Sequence, residues 1–212
     1  MAADFDFAVV GVDLAEEMLA SAREKSGGRG LADSPRLRLV RGDMRNWSSD
    51  ERFDLALITC SSITHLLTLD DQLSTWRSAY AALRVGGRLV VDVTMPDLRT
   101  YADSLQSPPR ALLQVDRDST DPATGRRLVR YRATSFDPFE QRALIRFFYD
   151  TFDGDGHTHY VNDFAGHVYF PNELKLLFLQ AGFAPEGVWA DYSFRPPRPW
   201  SREIVMAGRR ES

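Results

Sequence analysis

The chain has 212 residues and a formal net charge of −4, a size that suits one domain or one domain with an insertion. With 43% hydrophobic residues it can bury an ordinary core, whereas its scattered acidic balance argues against a nucleic-acid partner. The single cysteine excludes an internal disulfide. No apolar stretch approaches the roughly 20 residues of a membrane span, and no signal-peptide pattern opens the chain. We therefore expect a cytoplasmic protein without a membrane partner.

The first half of the chain alternates between predicted strands and helices. Residues 7–12 form a short apolar run rich in β-branched side chains, which is typical of a buried parallel strand. A helix with one apolar stripe follows over residues 14–22. The later elements are predicted strands at 37–40, 53–58 and 88–93 and a helix at 69–83. This order predicts an α/β fold, a Rossmann-like and mostly parallel sheet with helices on both faces.

The pattern changes after Pro96. Extended segments separated by turn sequences predict an antiparallel β insertion, with strands at 111–117, 127–136, 141–152 and 157–169. Pro171 then opens a helix that ends at Gly182, and a β-hairpin closes the chain. We therefore predict a core over residues 1–96, an insertion that forms the substrate region over 97–170, and a helix and hairpin over 171–212 that complete the core.

Polar residues follow three of the predicted strands. Asp13 and Asp43 each come directly after a strand, and the polar loop Thr59–His65 follows the third. Because ligands of open parallel sheets bind at the carboxyl ends of the strands, these residues predict a binding site. The Asp13 carboxylate can accept hydrogen bonds from both hydroxyls of an adenosine ribose. The structural alternatives are that Asp13 is a helix N-cap and that Asp43 is an ordinary turn residue.

The histidines and the cysteine leave further alternatives. His65 is either a packed, hydrogen-bonded histidine or a base, since its unperturbed pKa is about 6.5. His157, His159 and His167 lie on one face of a predicted strand, but no carboxylate or cysteine pattern supports a metal site, so we expect none. Cys60 is expected to be a small buried residue at a strand end.

Taken in order, the motifs resemble those of class I S-adenosylmethionine-dependent methyltransferases. The resemblance covers nearly the whole chain and rests on four stretches, 9–14 with Met18, Leu19 and Ala22, then 42–44, 53–55 and 83–87. Residues 60–66, together with Thr158-His159 and the antiparallel insertion, are similar to the N-methyltransferases that act on aminosugars linked to nucleotides. The resemblance implies an enzyme that transfers a methyl group to a small molecule, at an amino group.

The same resemblance implies roles for individual residues. The S-adenosyl-L-methionine site would comprise Asp13, Leu14, Asp43, Met44, Thr59, Cys60 and Ser61. Asp13 would bind the ribose hydroxyls, and Asp43 would accept from the adenine amino group, with Met44 on the ring or offering its backbone N–H. The stretch from Thr59 to Ser62 would lie beside the methionine part, and His65 would be the catalytic residue near the substrate amine.

The chain departs from this family at its N-terminus. Family members carry an acid-x-Gly-x-Gly loop after a first strand, and only six residues precede the strand at 7–12 here. We therefore expect that the first strand, its loop and most of its helix are lacking. Three interpretations stay open: a methyltransferase whose sequence starts too late, a short binding or partner subunit without efficient catalysis, and a nicotinamide-dependent Rossmann-like enzyme. The insertion and any exposed strand edge are compatible with a homodimer.

Overall fold

The computed structural model describes residues 7–31, 34–106 and 113–212. Its helices are α1 (Glu16–Gly27), a 3₁₀ turn at Ser62–His65, α2 (Leu69–Ala82), α3 (Leu98–Ser104) and α4 (Pro171–Gln180). The strands of the first half are β1 (Val9–Asp13), β2 (Leu37–Arg41), β3 (Phe53–Ile58) and β4 (Leu83–Thr94). Those of the second half are β5 (Gln114–Thr120), β6 (Arg127–Asp137), β7 (Arg142–Asp153), β8 (Gly156–His167), β9 (Phe183–Trp189) and β10 (Glu203–Arg210).

Local sequence signals account for the helix starts. The Thr68 hydroxyl caps α2 by accepting from the backbone N–H of Asp71 at 3.1 Å. Pro171 occupies the first turn of α4, where a missing N–H costs nothing, and the Glu173 carboxylate accepts from the backbone N–H of Phe170 at 3.3 Å. These caps set the N-terminal ends of the two helices that cover the core.

The strands form three sheets. β1 and β2 are a parallel pair, β3-β4-β10-β9 is a mixed sheet with a parallel β3–β4 pair, and β5-β6-β7-β8 is an antiparallel meander. The predicted fold class is confirmed: a Rossmann-like α/β arrangement with an antiparallel insertion before α4 and a closing β9–β10 hairpin. The structure differs in one respect, since among the described residues β1–β2 forms a sheet separate from the one that contains β3.

The main core lies between the mixed sheet and helices α2 and α4. Trp76 of α2 and Phe178 of α4 are fully buried and meet edge to face, with ring centroids 5.9 Å apart. The core residues contributed by the strands and by α4 include Leu89, Val91, Leu174 and Met206. Burial of such large apolar side chains is the dominant stabilising contribution to the domain.

The apolar stripe of α1 is largely uncovered. Leu19 is buried, but Leu14 and Met18 are 57% and 60% exposed. The helical spacing predicted one core-facing stripe, and the structure buries only part of it because a two-stranded sheet presents little apolar surface to a helix. No helix in the described part of the chain is both long and apolar enough to span a bilayer.

The core assignment of α4 can be tested with two neighbouring leucines. Leu174→Ala should lower the free energy of unfolding by about 2–5 kcal/mol, since it removes a fully buried side chain and leaves a cavity. Leu176→Ala, at a position that is 65% exposed, should change it by less than about 0.5 kcal/mol. Urea unfolding of both variants measures the difference, and equal losses would contradict this packing.

Candidate functional site

The β1–β2 ladder brings two acids together. In the parallel register Asp13 is the partner of Arg41, and the backbone N–H of Gly42 donates to the Asp13 carbonyl at 3.0 Å. Asp13 is the last residue of β1 and Asp43 follows β2, so the two acids lie at the same edge of the paired strands. This is the juxtaposition that the sequence pattern predicted, at the position where open parallel sheets bind ligands.

Asp13 keeps one carboxylate oxygen available. Its Oδ1 accepts from the backbone N–H of Ala15 at 2.8 Å, and the N-cap position of α1 is Ala15 itself. Within the described ranges no hydrogen bond engages Asp13 Oδ2. A half-buried carboxylate with one oxygen held and the other free can accept from a ligand hydroxyl.

Asp43 is engaged by Arg45, a residue that sequence reasoning missed. The Arg45 side chain donates to both carboxylate oxygens, with Nε at 3.0 Å from each and Nη2 at 2.6 Å from Oδ2. The backbone N–H of Arg45 adds a bond of 2.9 Å to Oδ1. These side-chain bonds, then the backbone bond, hold the pKa of Asp43 below its usual range. Arg45 also donates to Asp71 in the first turn of α2 at 3.1 Å, so it ties the β2 edge to that helix.

The loop after β3 is held by a buried carboxylate. Asp92 of β4 is only 2% exposed and accepts from the backbone N–H of Cys60 at 3.0 Å and of Ser61 at 2.7 Å. The Ser61 hydroxyl also meets Thr94, accepting from its backbone N–H at 2.9 Å. Asp92 was missed as a site residue, although a lone acid in the apolar run of β4 is a signal that could have found it.

The Cys60 side chain is exposed, so the expectation that it is a small buried residue was wrong. The reason is local: Cys60 and Ser61 both have positive φ, 58° and 56°, which turns the chain out of the sheet directly after β3. Thr59 is exposed as well and Ser61 is half-buried. This loop therefore presents polar side chains and a thiol at the end of β3.

His65 is the last residue of the 3₁₀ turn and contacts the antiparallel sheet. Its exposed imidazole meets the ring of Phe164 in β8 edge to face, with centroids 5.1 Å apart. The turn is anchored nearby, where buried Ile63 accepts a 3.0 Å hydrogen bond at its carbonyl from the Tyr169 hydroxyl. The structure thus places His65 where the core and the insertion meet.

The remaining predicted cofactor-binding residues, Leu14 and Met44, differ in their exposure to solvent. Leu14 is exposed at the start of α1, and Met44 is half-buried and packs against the main core. Leu14 follows Asp13 and Met44 follows Asp43, so both lie at the edge formed by the two acids.

The three other histidines are spread along β8. His157 Nε2 and His159 Nδ1 both lie 2.9 Å from Asp150 Oδ1, whereas His167 Nε2 lies 2.7 Å from Glu173 Oε1 at the opposite end of the strand. Over the described ranges, no group of three or more histidine, cysteine or acidic side chains is arranged to hold a metal ion.

Residues 1–87 match the family model described as a methyltransferase domain. A curated relative, the putative methyltransferase YqeM of Bacillus subtilis (strain 168), is 35% identical over 92 residues, which is 43% of this chain. The chain spans about a third of the length of that relative, 35% of it. The predicted resemblance to the methyltransferase family is thus confirmed for the N-terminal part of the chain.

Solved methyltransferase structures share the fold over nearly the whole chain. The CcbJ methyltransferase of Streptomyces caelestis superimposes with a TM-score of 0.77 and 22% identity, covering 100% of this chain and 78% of that one. CalS10, an amino pentose methyltransferase of Micromonospora echinaspora, has a TM-score of 0.70 and 22% identity over 98% of this chain and 76% of its own. An S-adenosylmethionine-dependent methyltransferase of Clostridium acetobutylicum ATCC 824 has a TM-score of 0.75 and 17% identity, covering 96% and 75%. At these identities the likeness establishes the fold.

The Asp43–Arg45 pair should make stability depend on pH. The pKa of Asp43 is lower in the folded protein than in the unfolded chain. The ionised carboxylate therefore contributes fully to the free energy of unfolding above the unfolded pKa of about 3.9, and this contribution is lost as the pH falls through the folded pKa. Asp43→Asn should lower the melting temperature at pH 7 by about 2–4 °C, the shift that corresponds to about 1 kcal/mol in a domain of this size. The difference from the parent should shrink below about pH 4.

The control for this measurement is Asp54→Asn. Asp54 pairs with Arg84 at 3.0 Å but its side chain is 77% exposed, so its loss should change the melting temperature little at any pH. Thermal unfolding followed by circular dichroism between pH 7 and pH 3.5 gives both series. A penalty for Asp43→Asn that does not change with pH would show that the ion pair is not its cause.

Proposed function

We propose that this protein is an S-adenosyl-L-methionine-dependent methyltransferase that acts on a small molecule, at an amino group. The observation that carries the proposal is the juxtaposition of Asp13 and Asp43 at the ends of two paired parallel strands, within the stretch that matches a methyltransferase domain. The relatives named above support the reaction class. We assign cofactor binding to residues 1–96 and substrate binding to the insertion over 97–170.

The acids at the β1–β2 edge suit the two ends of an adenosine. Asp13 offers its free Oδ2 to the ribose hydroxyls while Oδ1 stays bonded to Ala15. Arg45 already donates to both carboxylate oxygens of Asp43. The adenine amino group can therefore bind Asp43 only by sharing an oxygen with Arg45 or by replacing one of its hydrogen bonds. Leu14 and Met44, next in sequence to each acid, would contribute contacts to the ribose and the purine ring.

The loop from Thr59 to Ser62 would bind the methionine part of S-adenosyl-L-methionine. When bound, the cofactor supplies a methyl group activated on a sulfonium, so alignment is the main task left to the protein. An ammonium group has no lone pair for the attack, and a neutral imidazole can remove its proton. His65 is exposed at the contact between the core and the insertion, which supports this role.

A second function is supported by the divided sheet. β1–β2 is separate from β3-β4-β10-β9 in the described structure, and Leu55 and Leu57 of β3 are 46% and 38% exposed. Partly exposed apolar strands favour association with another chain. The corresponding alternative is a protein of the methyltransferase fold that binds a ligand or a partner, including a second copy of itself, without catalysis. Binding of S-adenosylhomocysteine without turnover of any acceptor would support it.

Ribose binding by Asp13 is tested with Asp13→Asn. The amide keeps an acceptor for Ala15 but cannot accept through its NH₂ group, so affinity for S-adenosylhomocysteine should fall about 10- to 150-fold, or about 1.5–3 kcal/mol. Glu17→Gln repeats the charge change at an exposed position in the first turn of α1 and should leave affinity unchanged. Isothermal calorimetry measures both, and an equal affinity of Asp13→Asn and the parent protein would rule out the ribose assignment.

The role of His65 is tested by separating turnover from binding. His65→Ala should lower turnover by about 10²- to 10⁴-fold, the usual contribution of a positioned base, with little change in affinity for S-adenosylhomocysteine. The assay is release of S-adenosylhomocysteine in a panel of small amines that includes aminosugars. Leu176→Ala, at an exposed position of α4 outside the insertion, is the control and should keep the turnover of the parent protein. Undiminished turnover of His65→Ala would remove it from the mechanism.

A further inference from the structure

The turn at Cys60 and Ser61 has an unusual backbone. Both residues adopt left-handed conformations, with φ of 58° and 56°, and neither is glycine. Side chains with a Cβ atom disfavour this region, and two such residues in succession need a compensating interaction. The turn follows β3 directly and begins the loop that we assign to the methionine part of the cofactor.

Asp92 supplies that interaction. Its Oδ2 accepts from the N–H of Cys60 and its Oδ1 from the N–H of Ser61, so each oxygen binds one amide of the turn. The carboxylate is 2% exposed, and a buried acid is tolerated when hydrogen-bond donors satisfy it. The donors here are the two amides that the left-handed turn directs at β4.

Tyr192 completes the arrangement from the segment between β9 and β10. Its hydroxyl donates to Asp92 Oδ2 at 2.5 Å, so three donors share one buried carboxylate. Burial and then the bond to Asp92 raise the pKa of the Tyr192 hydroxyl, so it remains a donor at neutral pH. This contact joins the segment between β9 and β10 to β4, the strand whose Asp92 holds the loop after β3.

We propose that Asp92 is a positioning residue that holds the Cys60–Ser61 turn in its left-handed conformation, with Tyr192 as its second support. The turn is thereby set for ligand binding at the end of β3. The assignment of S-adenosyl-L-methionine as that ligand rests on the proposed function; the assignment of Asp92 to the turn does not.

The backbone part is tested by hydrogen–deuterium exchange. In Asp92→Asn the amide has one acceptor and one donor group, so one of the two N–H groups loses its partner whichever way the amide turns. Peptides that cover residues 59–62 should exchange at least about tenfold faster than in the parent protein, while peptides from α4 stay unchanged. Tyr192→Phe removes one donor at a half-exposed residue and should accelerate the same peptides less.

The ligand part is tested by glycine rescue. Asp92→Asn should weaken binding of S-adenosylhomocysteine about 10- to 150-fold. Cys60→Gly in that background should recover most of the affinity, because glycine adopts positive φ without strain. Cys60→Ala in the same background removes the same thiol but keeps a Cβ atom, so it should recover none. A loss of fold stability alone would not produce this selective rescue.

The outcomes separate the two claims. Unchanged exchange of the 59–62 peptides in both variants overturns the proposal, and so does equal rescue by Cys60→Gly and Cys60→Ala. If Asp92→Asn does not fold, the test is repeated with Tyr192→Phe and the same two substitutions at Cys60. Tyr192→Phe alone should weaken binding of S-adenosylhomocysteine about fivefold. A parent protein that binds no S-adenosylhomocysteine contradicts the proposed function, and the exchange rates still decide the role of Asp92.

Discussion

The parallel pairing of β1 with β2 is the constraint on which the proposed site depends. It aligns the end of β1 with the end of β2, where the backbone N–H of Gly42 donates to the Asp13 carbonyl. Asp13 and Asp43 therefore lie at the same edge of the pair. A slip of one residue in this register would reverse the side-chain directions along β2. The ladder therefore determines whether two acids that are 30 positions apart in the sequence can serve one ligand.

Three carboxylates at the strand ends are held in three different ways, and this suggests different tasks. Asp13 has one oxygen bonded and one free, which suits a ligand contact. Both carboxylate oxygens of Asp43 already accept hydrogen bonds from Arg45. A ligand donor would therefore have to share an oxygen with Arg45 or replace one of these bonds. Asp92 is buried and accepts hydrogen bonds from two backbone amides and from Tyr192. In our proposal it therefore positions a turn of the protein and does not contact a ligand. The partners of each acid, more than its residue type, separate these roles.

In our proposal the insertion forms one wall of the site. β8 contacts the 3₁₀ turn through Phe164, which packs against His65. Tyr169, between β8 and α4, donates to the Ile63 carbonyl of the same turn. The Rossmann-like core and the antiparallel sheet meet at this turn.

Hydrophobic periodicity and turn residues were sufficient to predict most of the elements, the insertion and the closing hairpin, because these signals are local. The acids at the ends of β1 and β2 were predictable for the same reason. The pairing of Asp43 with Arg45 was not predictable, and neither was that of Asp92 with Tyr192, since side-chain geometry that no spacing encodes makes these contacts. The exposed thiol of Cys60 was also missed, because a left-handed backbone without glycine has no sequence signature.

The sequence alone determined the order of strands and helices and the placement of polar residues at strand ends, since both follow from local patterning. Only the tertiary structure decided that Asp92 is buried beneath the Cys60–Ser61 turn, that the stripe of α1 stays largely exposed, and that the sheet is divided after β2. These features depend on contacts between distant segments, where packing and hydrogen-bond satisfaction select one arrangement among several that the same local patterns allow.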